Sequence, residues 1–356
     1  MNKQRKIVVG ISIGDLNGIG SEVILKTFED PRMLDFCTPV IFASGKLVST
    51  YKKLYSINCN FNGIDSLKSI VHQKINVFNV WKENVKVDLG EEDPIMGEYA
   101  IKSLKAAVNA LKKDEIDVLV TAPINKSNVQ SDTFNFPGHT NFLAQELEGD
   151  SLMLMVSNSL RVGLLTDHVA VKDIASHITP ELIESKIQTI HDSLIKDFGV
   201  VKPKIAMLGI NPHNGDNGVI GDEDDTIMFP TIEKIQKTGK LVYGPYAADS
   251  FFGSKNYKQF DAVIASYHDQ GLIPFKTLSF GNGVNYTAGL NKVRTSPDHG
   301  TAYDRAGKNV ANHESFREAV YKAIEIFKKR IEYNEISKNP LKITKPNPNS
   351  KRSWQN

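Results

Sequence analysis

Three histidines follow short apolar runs. His168 comes after Val162-Gly163-Leu164-Leu165-Thr166-Asp167, His213 closes Asn211-Pro212-His213 after Ile205-Ala206-Met207-Leu208, and His268 follows Val263-Ile264-Ala265 by way of Ser266-Tyr267. They lie 45 and 55 residues apart, too far for a local zinc clip, whose ligands sit a few residues from one another. Ligands that only a fold can gather are the pattern of a catalytic metal site, where three protein donors leave a position open to substrate. Asp167 and Asp269 stand next to two of the imidazoles and could orient them. The residues alone leave this reading level with a plainer one, three separate caps and turns. Three imidazoles suit zinc, cobalt or iron, and magnesium prefers oxygen; a divalent metal (Zn, Co or Mg) is the expectation.

Two glycine-bearing segments invite a cofactor. Gly14-Asp15-Leu16-Asn17-Gly18-Ile19-Gly20 sits between an apolar run and a helical pattern, but its glycines do not match G-x-G-x-x-G. It leaves a phosphate at the following helix N-terminus as a reasonable expectation. The P-loop pattern G-x-x-x-x-G-K-[ST] is absent. Asp298-His299-Gly300-Thr301-Ala302-Tyr303-Asp304-Arg305-Ala306-Gly307, with Asn312 beyond it, resembles the adenosine-binding loop of isocitrate and isopropylmalate dehydrogenases. A plain turn before a helix is its alternative.

Such residues need elements to position them. Lys6–Ile13, Val40–Ala43, Ile116–Thr121, Met153–Val156, Arg161–Leu165, Lys204–Gly209 and Ala262–Ser266 read as buried strands. Helices are predicted from Ser21, as cap, through Phe28, and over Gly97–Leu111, Glu181–Phe198 and Ser315–Lys328. This alternation predicts an α/β fold with a largely parallel sheet. Such sheets bind ligands beyond the carboxyl ends of their strands. Three of the four strand-end loops noted, those after 165, 208 and 265, carry a histidine; the fourth is Thr121-Ala122-Pro123-Ile124-Asn125-Lys126.

Bulk properties agree with a soluble enzyme. The 356 residues favour two domains or one large α/β unit, and 40% hydrophobic content supplies a sizeable core. With 43 Lys and Arg against 41 Asp and Glu, the net charge of +2 suggests neither nucleic acid nor membrane as a partner. Cys37 and Cys59 form no metal or disulfide pattern. Ile7–Ile13 is short for a signal core and no apolar run approaches membrane length, so a cytoplasmic location is expected. Residues 337–356, rich in Lys, Pro and Asn, read as a flexible tail.

Taken together, Gly14 to Glu22, Phe136-Pro137-Gly138-His139-Thr140, Asn211-Pro212-His213, Tyr267-His268-Asp269-Gln270-Gly271 and Arg294-Thr295-Ser296-Pro297-Asp298-His299-Gly300-Thr301-Ala302 resemble the 4-hydroxythreonine-4-phosphate dehydrogenase family of pyridoxal phosphate biosynthesis. The resemblance implies a two-domain α/β fold like that of isocitrate and isopropylmalate dehydrogenases. The first domain would be 1–145 plus 291–336 and the second 146–290. It implies a homodimer with a metal site of His168, His213 and His268 shared between partners. It implies substrate contacts at His139, Thr140, Lys276, Asn285 and Arg294, and NAD or NADP at His299, Gly300, Ala302 and Asn312. The implied reaction oxidises 4-phosphooxy-L-threonine at C3 to a β-keto acid that loses CO2, giving 3-amino-2-oxopropyl phosphate. Lys276 would transfer a proton or stabilise charge, which needs a desolvated amine, or simply clamp an anion. Leu16, Asn17, Ser21 and Asn125 depart from residues common in the family, which bears on substrate choice. The alternatives are a dehydrogenase of a four-carbon sugar acid phosphate (threonate or erythronate 4-phosphate) and a metal-dependent hydrolase.

Overall fold

The computed structural model describes residues 5–131, 134–136, 138–279 and 281–340. Twelve strands are hydrogen-bonded into one sheet: β1 (Ile7–Ser12), β2 (Cys37–Ala43), β3 (Phe61–Ile64), β4 (Ile75–Asn79), β5 (Val118–Thr121), β6 (Leu152–Val156), β7 (Arg161–Leu164), β8 (Lys204–Leu208), β9 (Leu241–Tyr246), β10 (Ala262–Ala265), β11 (Val284–Ala288) and β12 (Val293–Pro297). Their order is β3-β4-β2-β1-β5-β12-β11-β6-β7-β10-β8-β9. The pairings of β12 with β11, β11 with β6, and β6 with β7 are antiparallel, and the rest are parallel. The expected parallel sheet is therefore correct for both wings, and an antiparallel block lies at its centre.

Side-chain alternation explains why the strands read as continuous apolar runs. Val9 and Ile11 of β1 join one core with Ile205, Met207 and Ile264, while Val8 turns to the other face with Val40, Phe42 and Leu119. On the far wing, Ala206, Leu208, Val263 and Ala265 turn to a third cluster with Leu272 and Phe275. A sheet covered by helices on both faces buries both sets, so the polar alternation of a half-exposed strand disappears.

The helices match the predicted ones with shifted ends. The second begins at Pro94 because Asp93 accepts the Ile95 N–H at 2.8 Å and Pro94 needs no donor partner. Pro180–Lys196 is capped in the same way by Thr179. The last runs Glu314–Ser337, nine residues past Lys328, because Val320, Ala323, Ile324 and Ile326 pack on the sheet and Arg330 is anchored below the surface. Ser337 thus closes a helix, and 341–356 of the expected tail lie outside the described residues. Ser21 does not cap its helix, which starts at Gly20 with Ser21 buried inside the first turn. No helix among the described residues is long and apolar enough to cross a membrane.

Candidate active site

The segments following β5, β7, β10 and β12 converge on a cavity of about 260 Å³. Met153 and Met155 of β6, Asn285 of β11 and Arg294 of β12 also line it, so the antiparallel block adds to the wall. His139, Thr140, His168, His268, Lys276, His299 and Gly300 complete the sequence-selected residues gathered there. Residues absent from that selection, Lys126 and Asp298, join them. Among the described lining residues Lys126, Lys276 and Arg294 face a single carboxylate, Asp298.

Arg294 is the most constrained of these cations. It is 2% exposed, and its guanidinium donates to the Thr121 hydroxyl from Nε (3.1 Å) and from one terminal nitrogen (2.5 Å), and to the Thr287 hydroxyl from the other (3.2 Å). No carboxylate among the described residues pairs with it. Burial lowers its pKa to about 9, so it remains a cation at neutral pH. Hydroxyls satisfy N–H groups but leave the charge uncompensated, and a buried cation in that state is completed by an anionic ligand.

Other atoms at the cavity wait for partners. His139 opens the helix His139–Glu146, and its Nε2 is buried without a hydrogen bond. Burial, followed by the charges of Arg294 and Lys126, pushes this imidazole well below its ordinary range and keeps it neutral. Asn285 Oδ1 and His299 Nε2 are likewise buried and unpartnered. Orphaned polar atoms are rare in finished protein interiors, and several around one cavity mark where a ligand supplies the missing bonds. Pro137 of the same motif lies outside the described residues.

His168 and His268 meet at the cavity with ring centroids 6.1 Å apart. Each Nδ1 faces the following or preceding carboxylate: Asp269 Oδ1 lies 2.7 Å from His268 Nδ1, and Asp167 Oδ2 lies 3.5 Å from His168 Nδ1. The His168 side-chain hydrogen bond holds Asp167 down at about 2. This arrangement points Nε2 toward other partners, and His168 Nε2 meets Lys126 Nζ at 3.1 Å. His213 stands apart from the pair. It lines an adjoining cavity of about 220 Å³ with Tyr267 and Gln270, which bracket His268. Its turn is fastened by Asp224, whose carboxylate accepts the N–H groups of Ile210 and Asn211 at 2.8 and 2.9 Å. His213 and Asn214 both have φ near +54° and +53°, a left-handed conformation uncommon for non-glycine residues. Among the described residues no three His, Cys, Asp or Glu side chains come close enough to hold a metal.

Four further expectations meet the structure differently. Lys276 lines the cavity with its side chain exposed rather than buried. Gly300 and His299 line the cavity, whereas Ala302 lies behind them in a left-handed turn at φ +45°. Asn312 is committed locally: its Oδ1 accepts the Glu314 N–H at 2.8 Å at the start of the last helix. The turn Gly14–Gly20 offers no phosphate site, because it is buried and its Ile19 N–H donates to Thr301 O at 3.0 Å. Its glycines permit that packing, since a Cβ at Gly18 would lie 2.9 Å from Thr301 O. Tyr303 locks the two segments by donating to buried Asp15 at 2.8 Å.

Lys126 was within reach of sequence reasoning, since it ends a strand-end loop; the Thr121 and Thr287 brace of Arg294 was not, because nothing in the types or spacing of two threonines marks it.

A family model for the pyridoxal phosphate biosynthetic protein PdxA matches residues 35–323. A 4-hydroxythreonine-4-phosphate dehydrogenase of Bacteroides thetaiotaomicron is 46% identical over 342 residues, covering 96% of this chain and 94% of the relative. A relative in Oceanobacillus iheyensis, provisionally named a D-threonate 4-phosphate dehydrogenase, is 34% identical over 90% of this chain and 98% of its own length. Among solved structures, the 4-hydroxythreonine-4-phosphate dehydrogenase of Klebsiella pneumoniae superposes with a TM-score of 0.77 at 30% identity, covering 92% of this chain and 99% of that one.

Proposed function

The chain belongs to the pyridoxal phosphate biosynthetic protein PdxA family, and on that premise we propose how its cavity carries out the oxidation of 4-phosphooxy-L-threonine. The observation that carries the reading is Arg294, a buried cation with no carboxylate partner among the described residues, beside the unpartnered Nε2 of neutral His139. This donor set suits a phosphate or carboxylate oxygen, and Arg can engage it with two parallel N–H bonds. The excess of cations over Asp298 in the lining suits a substrate with both groups.

His139, Thr140, Asn285 and Arg294 bind and orient the substrate, with Lys276 as an anion clamp at the open rim. Oxidation at C3 places a carbonyl β to the carboxylate, so the electrons released with CO2 have an acceptor and the product is 3-amino-2-oxopropyl phosphate. His168 and His268 fit a metal as far as one chain goes: their Nδ1 atoms face carboxylates, which leaves Nε2 as the donor. We assign the ligand set His168, His213 and His268 to a homodimer in which the partner copy completes the site. His299, Gly300, Ala302 and Asn312 form the nicotinamide cofactor (NAD or NADP) segment in this reading. When bound, a divalent ion (Zn, Co or Mg) supplies Lewis-acid polarisation of a substrate oxygen, and the nicotinamide supplies a hydride acceptor.

The same reading divides the chain into two domains of the isocitrate dehydrogenase kind, 1–145 with 291–336 and 146–290. Its support is the strand order, in which β12 returns to sit beside β5 while β11 heads the other wing. A cytoplasmic location accompanies it.

The test measures NAD(P)H formation with 4-phosphooxy-L-threonine and D-threonate 4-phosphate side by side. A higher kcat/KM for the amino acid is expected. Turnover of the sugar acid alone would transfer the chain to the activity named for the Oceanobacillus relative.

A further inference from the structure

Two fully buried carboxylates, Asp15 and Glu22, come from the turn at 14–20 and the helix Gly20–Glu29 that follows it. Asp15 accepts the Tyr303 hydroxyl. Glu22 Oε1 accepts the Ala311 N–H at 2.8 Å and the Lys26 ammonium at 2.7 Å. One helical turn separates Glu22 from Lys26, so both side chains reach the same stretch of backbone. Lys26 Nζ donates in addition to Asn309 O (3.1 Å) and Ala311 O (3.2 Å). The pair therefore grips 309–311 through one main-chain donor and two main-chain acceptors. A buried ion pair contributes little net stability, because apolar side chains of the same volume serve the fold as well or better. What this pair supplies that they cannot is a fixed path for the backbone it holds.

We propose that Glu22 and Lys26 are positioning residues for the nicotinamide cofactor: they hold 309–311 in the path that presents the segment 299–312 to the adenosine half of NAD or NADP. This role rests on the assignment of that segment to the cofactor. The segment has room for such a group. His299 Nε2 is buried without a partner, and among the described residues outside its chain neighbours no heavy atom stands within 4 Å of where a Cβ on Gly300 would be. Glu22 is fully buried and acts only through the backbone it fastens. Asp15 holds the same segment at Tyr303, so the loop is tied on both sides of the turn at Gly307. A loop already ordered binds without the entropy cost of ordering itself, and that saving appears as cofactor affinity.

The experiment measures equilibrium binding of NAD and NADP to the full-length protein by calorimetry, beside the melting temperature. It compares wild type, Glu22→Leu combined with Lys26→Met, Glu22→Gln alone, and Gly300→Val. The double substitution replaces the pair with apolar groups of similar reach. It is expected to melt close to wild type while cofactor affinity falls by about tenfold or more, with faster amide hydrogen exchange at 309–311. Glu22→Gln keeps an oxygen for the Ala311 N–H and should retain an intermediate affinity. Wild-type affinity in the double variant, with binding lost in Gly300→Val, overturns the positioning role while keeping the cofactor segment. Unchanged affinity in both removes the segment from the cofactor site. Affinity that falls only in step with the melting temperature, in Glu22→Gln as in the double variant, makes the pair a brace for the fold and also overturns the proposal.

Discussion

Arg294→Met separates function from stability. Arg294 is 2% exposed and makes three hydrogen bonds, all to hydroxyls. Burial brings its pKa down to about 9, so in the folded protein the charged form is disfavoured relative to water. Methionine of similar reach removes the buried charge. Thr121 and Thr287 lose donors, but a hydroxyl can turn its own proton to another acceptor. Replacing buried charge by a packed apolar side chain is neutral or stabilising by about 1–4 kcal/mol. A melting temperature equal to or several degrees above wild type is therefore expected. Losing a desolvated charge contact to an anionic substrate costs about 2–5 kcal/mol, so kcat/KM should fall by roughly thirtyfold or more.

The pH dependence has a defined sign. A base whose folded pKa is depressed lowers stability by its full amount below that pKa, and the burden is relieved as pH rises toward the unfolded value. The stability gap between variant and wild type should therefore be widest below about pH 9 and narrow as the pH rises above it. Thermal melts at pH 7 and pH 10, with substrate kinetics at pH 7, measure both. A variant melting many degrees lower at pH 7 with its KM intact would refute the reasoning and make Arg294 a brace for the two threonines.

His213→Ala should lose bound metal, read by elemental analysis, together with turnover; full activity with metal retained would remove His213 from the ligand set. Asp167→Asn takes away the carboxylate facing His168 Nδ1 and should lower metal affinity or activity by about ten- to a hundredfold, measured by chelator competition. Tyr303→Phe strips a hydrogen bond from buried Asp15, whose pKa burial already raises, and should cost about 1–3 kcal/mol in urea unfolding. Because Tyr303 ties the turn at 14–20 to the segment at 298–303, the same variant should raise the KM for the nicotinamide cofactor more than that for substrate.

Much of the fold was legible because a sheet buried on both faces writes itself as short β-branched runs. The runs at 6–13, 116–121, 204–209 and 262–266 all became strands. Strands β3, β4, β9, β11 and β12 were not found. Phe61–Ile64 and Leu241–Tyr246 lie at the sheet edges and are partly exposed, and Asn285, Thr287, Arg294 and Thr295 place polar residues inside β11 and β12. Those polar positions look like loop in one dimension because their partners, Thr121 for Arg294 and Ala319 O for Thr295, are distant in sequence.

The candidate site divides the same way. Residue type and strand-end position were enough to nominate His168, His213 and His268, because ligand-facing groups on an α/β sheet sit where strands end; His139, Asn285, Arg294 and His299 were nominated by the family resemblance. Type and position could not tell which nominees share a cavity. Tertiary structure placed His213 in the adjoining recess, tied Asn312 to its own helix, left Lys276 open to solvent and set Lys126 on His168. Proximity depends on how strands order themselves across the sheet, and that order is decided by packing among residues hundreds of positions apart. The three histidines were visible in the amino-acid sequence; that one chain brings only two of them to the cavity is a property of the folded sheet.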